Sequence, residues 1–325
     1  MNGIPTIDDI QQAAQRIKPY LHRTPIMTSA AIDEITGGQI YFKCENFQKV
    51  GAFKARGALN AVLGLDEEHI AKGVATHSSG NHAAALAMAA GIRSMPAYIV
   101  MPDNAPEVKR QAVRSYGANI TYCAPTLEAR ENTLIEVVNK TGASLVHPFD
   151  DFRIIAGQAT AALELFEDVP DIDIIMAPVG GGGLISGTAL SKEYFSPSSK
   201  VIGAEPQGAD DAKRSFDAGY LTPSVNPASI ADGLLTSLCE RTFNIIKQYV
   251  SNIVTVDDVA IIAATRLIME RMKIVVEPSA AVTLAAVLEK RIDISGKRVG
   301  IILSGGNIDM NSFISTASDI VEQKR

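Results

Sequence analysis

Ile172-Asp-Ile-Ile-Met-Ala-Pro-Val-Gly-Gly-Gly-Gly-Leu184 decides how this chain is read. The run 172–177, apolar but for Asp173, has the length and composition of a strand buried on both faces, and residues 184–194 carry helical spacing. Strand, glycine turn and helix make the first half of a βαβ unit. Backbone N–H groups and the positive helix end converge at such a turn, so Gly180, Gly181, Gly182 and Gly183 suit a phosphate. A plain flexible turn is the other reading, but four glycines lose much backbone entropy for no packing gained.

The same plan recurs outward in both directions. Strands at 73–77, 97–101, 119–123 and 144–147 alternate with helices at 82–90, 106–116 and one ending near Lys140. A helix at 155–167 precedes the quoted stretch. A strand at 200–205, helices at 257–272 and 278–290, and a last strand at 298–303 follow it. Near the start, Thr6 and Asp9 read as a capping pair for a helix with Ile7, Ile10, Ala14 and Ile17 on one face. Residues 40–44 read as a strand, and a helix begins near Lys54 and runs to about Leu65. The expected fold is α/β, with parallel twisted sheets flanked by helices in two domains. Residues 1–68 and 151–325 form the large domain and 69–150 a smaller, mobile one. Ligands belong at the carboxyl ends of the strands.

Composition excludes several classes. Of 325 residues 46% are apolar, and 25 glycines show no period, so neither a disordered nor a fibrous chain fits. A net charge of −6 argues against nucleic acid as a partner. The uncharged stretch 73–92 contains His77, Asn81 and His82, so no membrane span is expected. The first ten residues lack a signal pattern, which points to the cytoplasm. Cys44, Cys123 and Cys239 form no C-x-x-C pair and read as buried reduced thiols. The histidines form no H-E-x-x-H cluster, so a histidine-held zinc is not expected.

Four stretches carry chemistry. Gly51-Ala-Phe-Lys-Ala-Arg-Gly57 puts two cations in a first helical turn, where the macrodipole disfavours them. They are solvated surface charges, or Lys54 has a task; beside a phosphate cradle it suits a phosphorylated aldehyde held as a Schiff base. His77-Ser-Ser-Gly-Asn-His82 lies at a strand-to-helix junction and can bind a carboxylate, or Ser79 or Asn81 simply caps the helix. It is no nucleophile elbow, so a hydrolase is not expected. Leu303-Ser-Gly-Gly-Asn307 ends the last strand as a site or as an ordinary turn. Glu205, ending the strand after the glycine loop, keeps a nicotinamide dehydrogenase open, although Ser186 breaks a strict G-x-G-x-x-G.

These motifs, in this order, resemble the fold-type II pyridoxal-phosphate enzymes with the tryptophan synthase β-like fold, most closely their serine racemase and serine/threonine dehydratase branch. The resemblance spans about residues 7–312. It includes I-A-G-Q-A-T at 155–160, A-E-P at 204–206, I-A-D-G at 230–233 and E-P-S-A at 277–280. It implies that Lys54 carries the cofactor, pyridoxal 5'-phosphate, with Phe53 beside the ring and Asn81 on the ring's 3-oxygen. It further implies that Gly180, Gly181, Gly182 and Gly183 hold the phosphate and that Ser304 faces the pyridine nitrogen. Ser78, Ser79, Asn81 and His82, with Asp232 and Arg130, make up the implied substrate site. Glu205, the Ala209 carbonyl and Asp211 match a divalent-cation site of hard oxygen ligands for Mg²⁺, Ca²⁺ or Mn²⁺. A homodimer and a nucleotide activator are implied as well.

The implied chemistry starts with Lys54 removing the Cα proton of an amino acid from one face. Ser304, a hydroxyl where a carboxylate would prolong the carbanion, favours prompt reprotonation or loss of a β-hydroxyl. Ser79 separates these outcomes: racemases carry this serine, whereas threonine dehydratases resembling the chain usually have alanine. Ala52 replaces a serine common in the family. Phe149-Asp150 looks more like the dehydratases. Arg130 either pairs with a substrate β-carboxylate or is a surface arginine. The expected enzyme is a serine racemase that also eliminates water from serine and accepts threonine or 3-hydroxyaspartate. The alternatives are a dedicated hydroxyaspartate or threonine ammonia-lyase, the dehydrogenase, and an idle ligand-binding relative. The motifs consume nearly the whole sequence, so no C-terminal regulatory domain is expected.

Overall fold

The computed structural model describes residues 3–78, 80–105 and 107–323. The chain opens with α1 (Ile7–Ile17), β1 (Ile26–Met27), α2 (Ala30–Thr36), β2 (Gln39–Cys44), α3 (Lys54–Leu63) and α4 (Glu67–Lys72). An alternating run follows: β3 (Val74–His77), α5 (Asn81–Ile92), β4 (Ala97–Pro102), α6 (Glu107–Ser115), β5 (Asn119–Cys123), α7 (Leu127–Thr141) and β6 (Ser144–Leu145). Next come α8 (Phe152–Asp168), β7 (Ile174–Pro178), α9 (Gly183–Phe195), β8 (Lys200–Pro206), α10 (Asp211–Ala218) and α11 (Glu240–Tyr249). The last elements are β9 (Asn252–Val256), α12 (Asp258–Met272), α13 (Pro278–Leu288), β10 (Arg298–Leu303) and α14 (Met310–Gln323).

The strands form two sheets. One has six strands in the order β1-β2-β10-β7-β8-β9, parallel except for the β1–β2 pair. The other has four parallel strands in the order β5-β4-β3-β6. Every residue of β7 is buried, as a strand covered by helices on both faces must be. The register sets Leu303 beside Cys44 and Pro178 beside Ala204, so the carboxyl ends of β2, β10, β7 and β8 share one edge.

Local chemistry explains the starts of several helices. Thr6 and Asp9 cap α1 reciprocally, Asp9 N donating to Thr6 Oγ1 at 3.3 Å and Thr6 N to Asp9 Oδ2 at 2.9 Å. The buried face of α1 is Ile10, Ala13 and Ile17; Ile7, expected on that face, is 38% exposed. The start of α10 has no local side-chain cap. Glu205 supplies it from the preceding strand, which is why sequence patterning misses that helix. The short or one-sided elements β1, β9, α2, α4, α11 and α14 were missed as well. Among the cysteines only Cys44 is buried; Cys123 and Cys239 are half-buried, a correction to the expectation of three buried thiols.

α3 is held between α5 and α8. Its Ala58, Leu59, Ala61 and Val62 join the core under the four-stranded sheet with Val74, Leu86 and Ile99. On the other side, a Cβ on Gly157 would stand 2.6 Å from Gly57 Cα, so the two backbones cross where only glycine fits. That contact accounts for the glycine of I-A-G-Q-A-T: it seats the helix that carries Lys54. No described helix is long and apolar enough to cross a membrane.

Candidate active site

The segment entering α3 is stitched to the end of β10. Ala52 bridges Gly305, Phe53 N donates to the Ser304 carbonyl at 3.0 Å, and Gly306 N donates to the Gly51 carbonyl at 2.9 Å. Lys54 therefore starts its helix beside Ser304, which is 3% exposed. The Lys54 side chain opens partly toward the cleft yet is enclosed by protein, and its Nζ donates to the Pro148 carbonyl at 3.0 Å. That Nζ lies 5.1 Å from the centroid of the Phe53 ring. Burial brings the Lys54 pKa down to about 8, with Glu277 opposing the drop.

The turn between β7 and α9 is wholly buried at Gly180, Gly181, Gly182 and Gly183, and no side chain caps the helix. Gly182 has φ +85°, and a Cβ there would stand 2.7 Å from Thr242 Cβ; one on Gly181 would overlap the Phe149 ring. The first N–H groups of a helix lack intrahelical partners, so a buried start without a cap calls for an anion. The phosphate of pyridoxal phosphate meets that donor set. Glycine is needed here for packing as well as for backbone access.

At the start of α5, Ser78 N donates to the Val100 carbonyl at 3.1 Å and Gly80 N to Ser78 Oγ at 3.3 Å. Asn81 does not cap the helix. Its Nδ2 donates to both oxygens of Glu277 at 3.1 and 3.2 Å, and its Oδ1 accepts from Asn307 Nδ2 at 2.9 Å. Those partners fix which way the amide faces. Ser79 lies outside the described residues. His82, 2% exposed, contacts the Val146 carbonyl through Nε2 at 3.1 Å and so carries its proton there. Burial, then the Lys54 charge, keep the ring neutral with a pKa of about 3. Its Nδ1 is buried without a partner.

The remaining expected residues lie further out. Arg130 sits on α7, its Nε donating to the Thr126 carbonyl at 3.3 Å. After burial, its charge is the main influence lowering the His77 pKa. The His77 and His147 rings meet edge to face at 6.0 Å, and burial takes His147 down to about 4. Asp232 pairs with Lys109 across the mouth of a cavity of about 670 Å³, which Asn81, Asn307, Tyr116 and Phe313 also line.

Sequence reasoning assigned no role to Glu277. This carboxylate, 5% exposed, is the charged partner of Asn81 and faces Lys54, and burial raises its pKa to about 7. The Glu-Pro pair marked a helix start but carried no hint of that tertiary contact.

Glu205 and Asp211 are fully buried and Ala209 is 2% exposed. Glu205 accepts from Ala212 N at 3.1 Å and Lys213 N at 2.9 Å, which leaves it unfit to hold a ribose. Asp211 Oδ2 accepts from Leu238 N at 3.1 Å, while Oδ1 is buried without a partner. Burial, together with the Glu205–Asp211 repulsion, lifts Glu205 to about 9; burial lifts Asp211 to about 6. The described residues bring no three His, Cys, Asp or Glu side chains together as a metal site. Two carboxylates and the Ala209 carbonyl are the donors on hand, and the orphaned Asp211 oxygen fits a cation ligand.

A buried lysine amine next to an anion-seeking helix start is the arrangement by which a protein holds a phosphorylated aldehyde. The chain belongs to the pyridoxal-phosphate-dependent enzymes, whose family model matches residues 17–305. It is 51% identical over 310 residues to the β-hydroxyaspartate dehydratase of Paracoccus denitrificans, covering 95% of this chain and 98% of that one. It is 49% identical to the serine racemase of Dictyostelium discoideum, covering 95% and 96%. The solved structure of maize serine racemase superimposes with a TM-score of 0.93 at 44% identity, covering 99% of both chains. Family membership and the engaged Glu205 set the nicotinamide reading aside.

Proposed function

We propose that the chain is a serine racemase that also eliminates water from L-serine, giving pyruvate and ammonia, and that accepts L-threonine and 3-hydroxyaspartate. The observation carrying this reading is the seating of Lys54 beside Ser304 through the Phe53 N to Ser304 carbonyl bond. Lys54, Asn81, the four glycines and Ser304 would hold pyridoxal phosphate. When bound, that group withdraws electrons from the substrate Cα and acidifies its C–H. Lys54, with a pKa of about 8, is about one tenth neutral at pH 7, far more than an ordinary lysine, and takes the proton from one face. Ser79 returns a proton to the other face, inverting the centre. Ser304 would offer the ring nitrogen a hydroxyl rather than a negative charge, so negative charge at Cα would be short-lived. It would be quenched by reprotonation or by departure of the β-hydroxyl, which leaves as water with the proton that Lys54 removed.

A chiral product assay on L-serine, L-threonine and L-threo-3-hydroxyaspartate tests the reading. D-serine and pyruvate are both expected from L-serine; absence of D-serine would favour a second reading, a dedicated 3-hydroxyaspartate or threonine ammonia-lyase. Arg130, close to His77, supports that alternative because it offers a cation to a β-carboxylate. The 51% identical Paracoccus protein named for that substrate supports it too.

The same proposal includes Mg²⁺, or Ca²⁺ or Mn²⁺, at Glu205, Ala209 and Asp211. A free cation concentration near 100 times Kd would stabilise the fold by about 2.7 kcal/mol. Chelation is then expected to lower the melting temperature by roughly 4 °C, with recovery on adding Mg²⁺. An unchanged melting curve would return the two carboxylates to a metal-free role. Closure of residues 69–150 over the substrate, a homodimer, a nucleotide activator and a cytoplasmic location complete the proposal; they rest on the family resemblance.

A further inference from the structure

We propose that Arg56 is a positioning residue for Lys54, locking the first turn of α3 from the face opposite the site; this rests on Lys54 being the cofactor-bearing amine. Two residues apart on a helix, the side chains leave the axis in nearly opposite directions. Arg56 is 1% exposed and uses all five of its N–H donors. Nε and Nη2 donate to Glu45 at 2.7 and 2.9 Å, Nη1 and Nη2 donate to Glu164 at 2.8 Å each, and Nη1 donates to Thr160 Oγ1 at 3.1 Å. Glu45 also accepts from Thr24 Oγ1 at 2.5 Å, and Glu164 from the buried Lys43 at 2.6 Å. Lys43 in turn donates to the Thr24 carbonyl at 2.8 Å. One guanidinium thus ties α3 to the end of β2 and to α8.

The network explains the cation that the sequence placed in an unfavourable first turn: two carboxylates offset the helix dipole there. Buried ion clusters are poor stabilisers compared with apolar packing, so stability alone is a weak reason for this one. Register is a better one. The α3–α8 contact is a glycine-on-glycine crossing, smooth enough to slide, and beside it the Gly57 N to Gln158 Oε1 bond at 3.2 Å and the Asn60 Nδ2 to Arg153 carbonyl bond at 2.7 Å add some direction. Five directional bonds fix both the roll and the rise of α3, and hence where Lys54 stands among Glu277, His82 and His147. No charge needs to pass from Arg56 to Lys54.

Arg56→Lys in the full chain keeps the charge but has three donors and no planar fork. Misplacing a reacting group by about 1 Å can cost about 100-fold. The expected result is a fall in kcat of roughly 10- to 100-fold, with KM within about threefold and a weaker visible circular dichroism band of the bound cofactor. In the full chain stripped of cofactor, the pH midpoint of Lys54 amine labelling, expected near 8 in the parent, should move up toward the ordinary lysine value as the amine reaches water. A folded variant with parental kcat, dichroism and labelling midpoint overturns the proposal, whatever its melting temperature. If Arg56→Lys does not fold, Glu164→Gln is read by the same three measurements against the same two outcomes. Failure of the cofactor assignment itself shows elsewhere, as a Lys54→Ala protein that keeps the cofactor absorbance.

Discussion

Lys54→Ala is expected to lose about 10⁴-fold, the top of the range for a general base, in racemisation and elimination together, and to lose the visible absorbance of the lysine-bound cofactor. One amine serves as anchor and base, so no partial activity of either kind should persist. The substitution should not unfold the chain. In the cofactor-free protein it removes a cation from the first turn of α3, where the helix dipole opposes it by about 0.3–1 kcal/mol. It also spares the burial of an amine whose pKa is already depressed to about 8. Alanine is the best helix former. Enzyme assays, an absorbance spectrum and thermal melts check this. Inactivity with a collapsed melt would indicate a structural lysine, and retained absorbance would move the cofactor to another residue.

Ser79→Ala is expected to separate the two reactions. If its hydroxyl supplies the proton on the face opposite Lys54, racemisation should fall about 100-fold or more, the usual range for loss of a general acid or base. Elimination should stay within about threefold of the parent, because abstraction by Lys54 and departure of the β-hydroxyl need no second base. The measurement is the rate of D-serine formation against pyruvate formation from the same L-serine sample. Loss of both in parallel would sink the two-base account and leave Ser79 as a substrate-holding residue.

Much of the fold was legible because its signals are local. An apolar run such as 172–177 can only be a buried strand or a core helix, and four glycines before a helical pattern mark a turn. The motif order then pointed to the family to which the chain belongs. Elements whose starts depend on distant groups were not legible. α10 begins on the Glu205 carboxylate, and Asn81, a capping candidate by pattern, turns away to Glu277 some 196 residues later. His82 stood in the binding turn by sequence, yet its ring faces Val146 across the smaller core.

The sequence by itself determined the alternation of strands and helices, the glycine-built helix start, and a lysine in a turn where a charge is unwelcome. These follow from periodicity, backbone freedom and the helix dipole, which act over a few residues. Only the tertiary structure decided what answers each charge. Glu277 faces Lys54, and Glu45 and Glu164 enclose Arg56, because desolvation forces buried charges to find partners wherever the chain brings them. Which partner lies within reach is set by how the two sheets and their helices pack, and no local pattern records that.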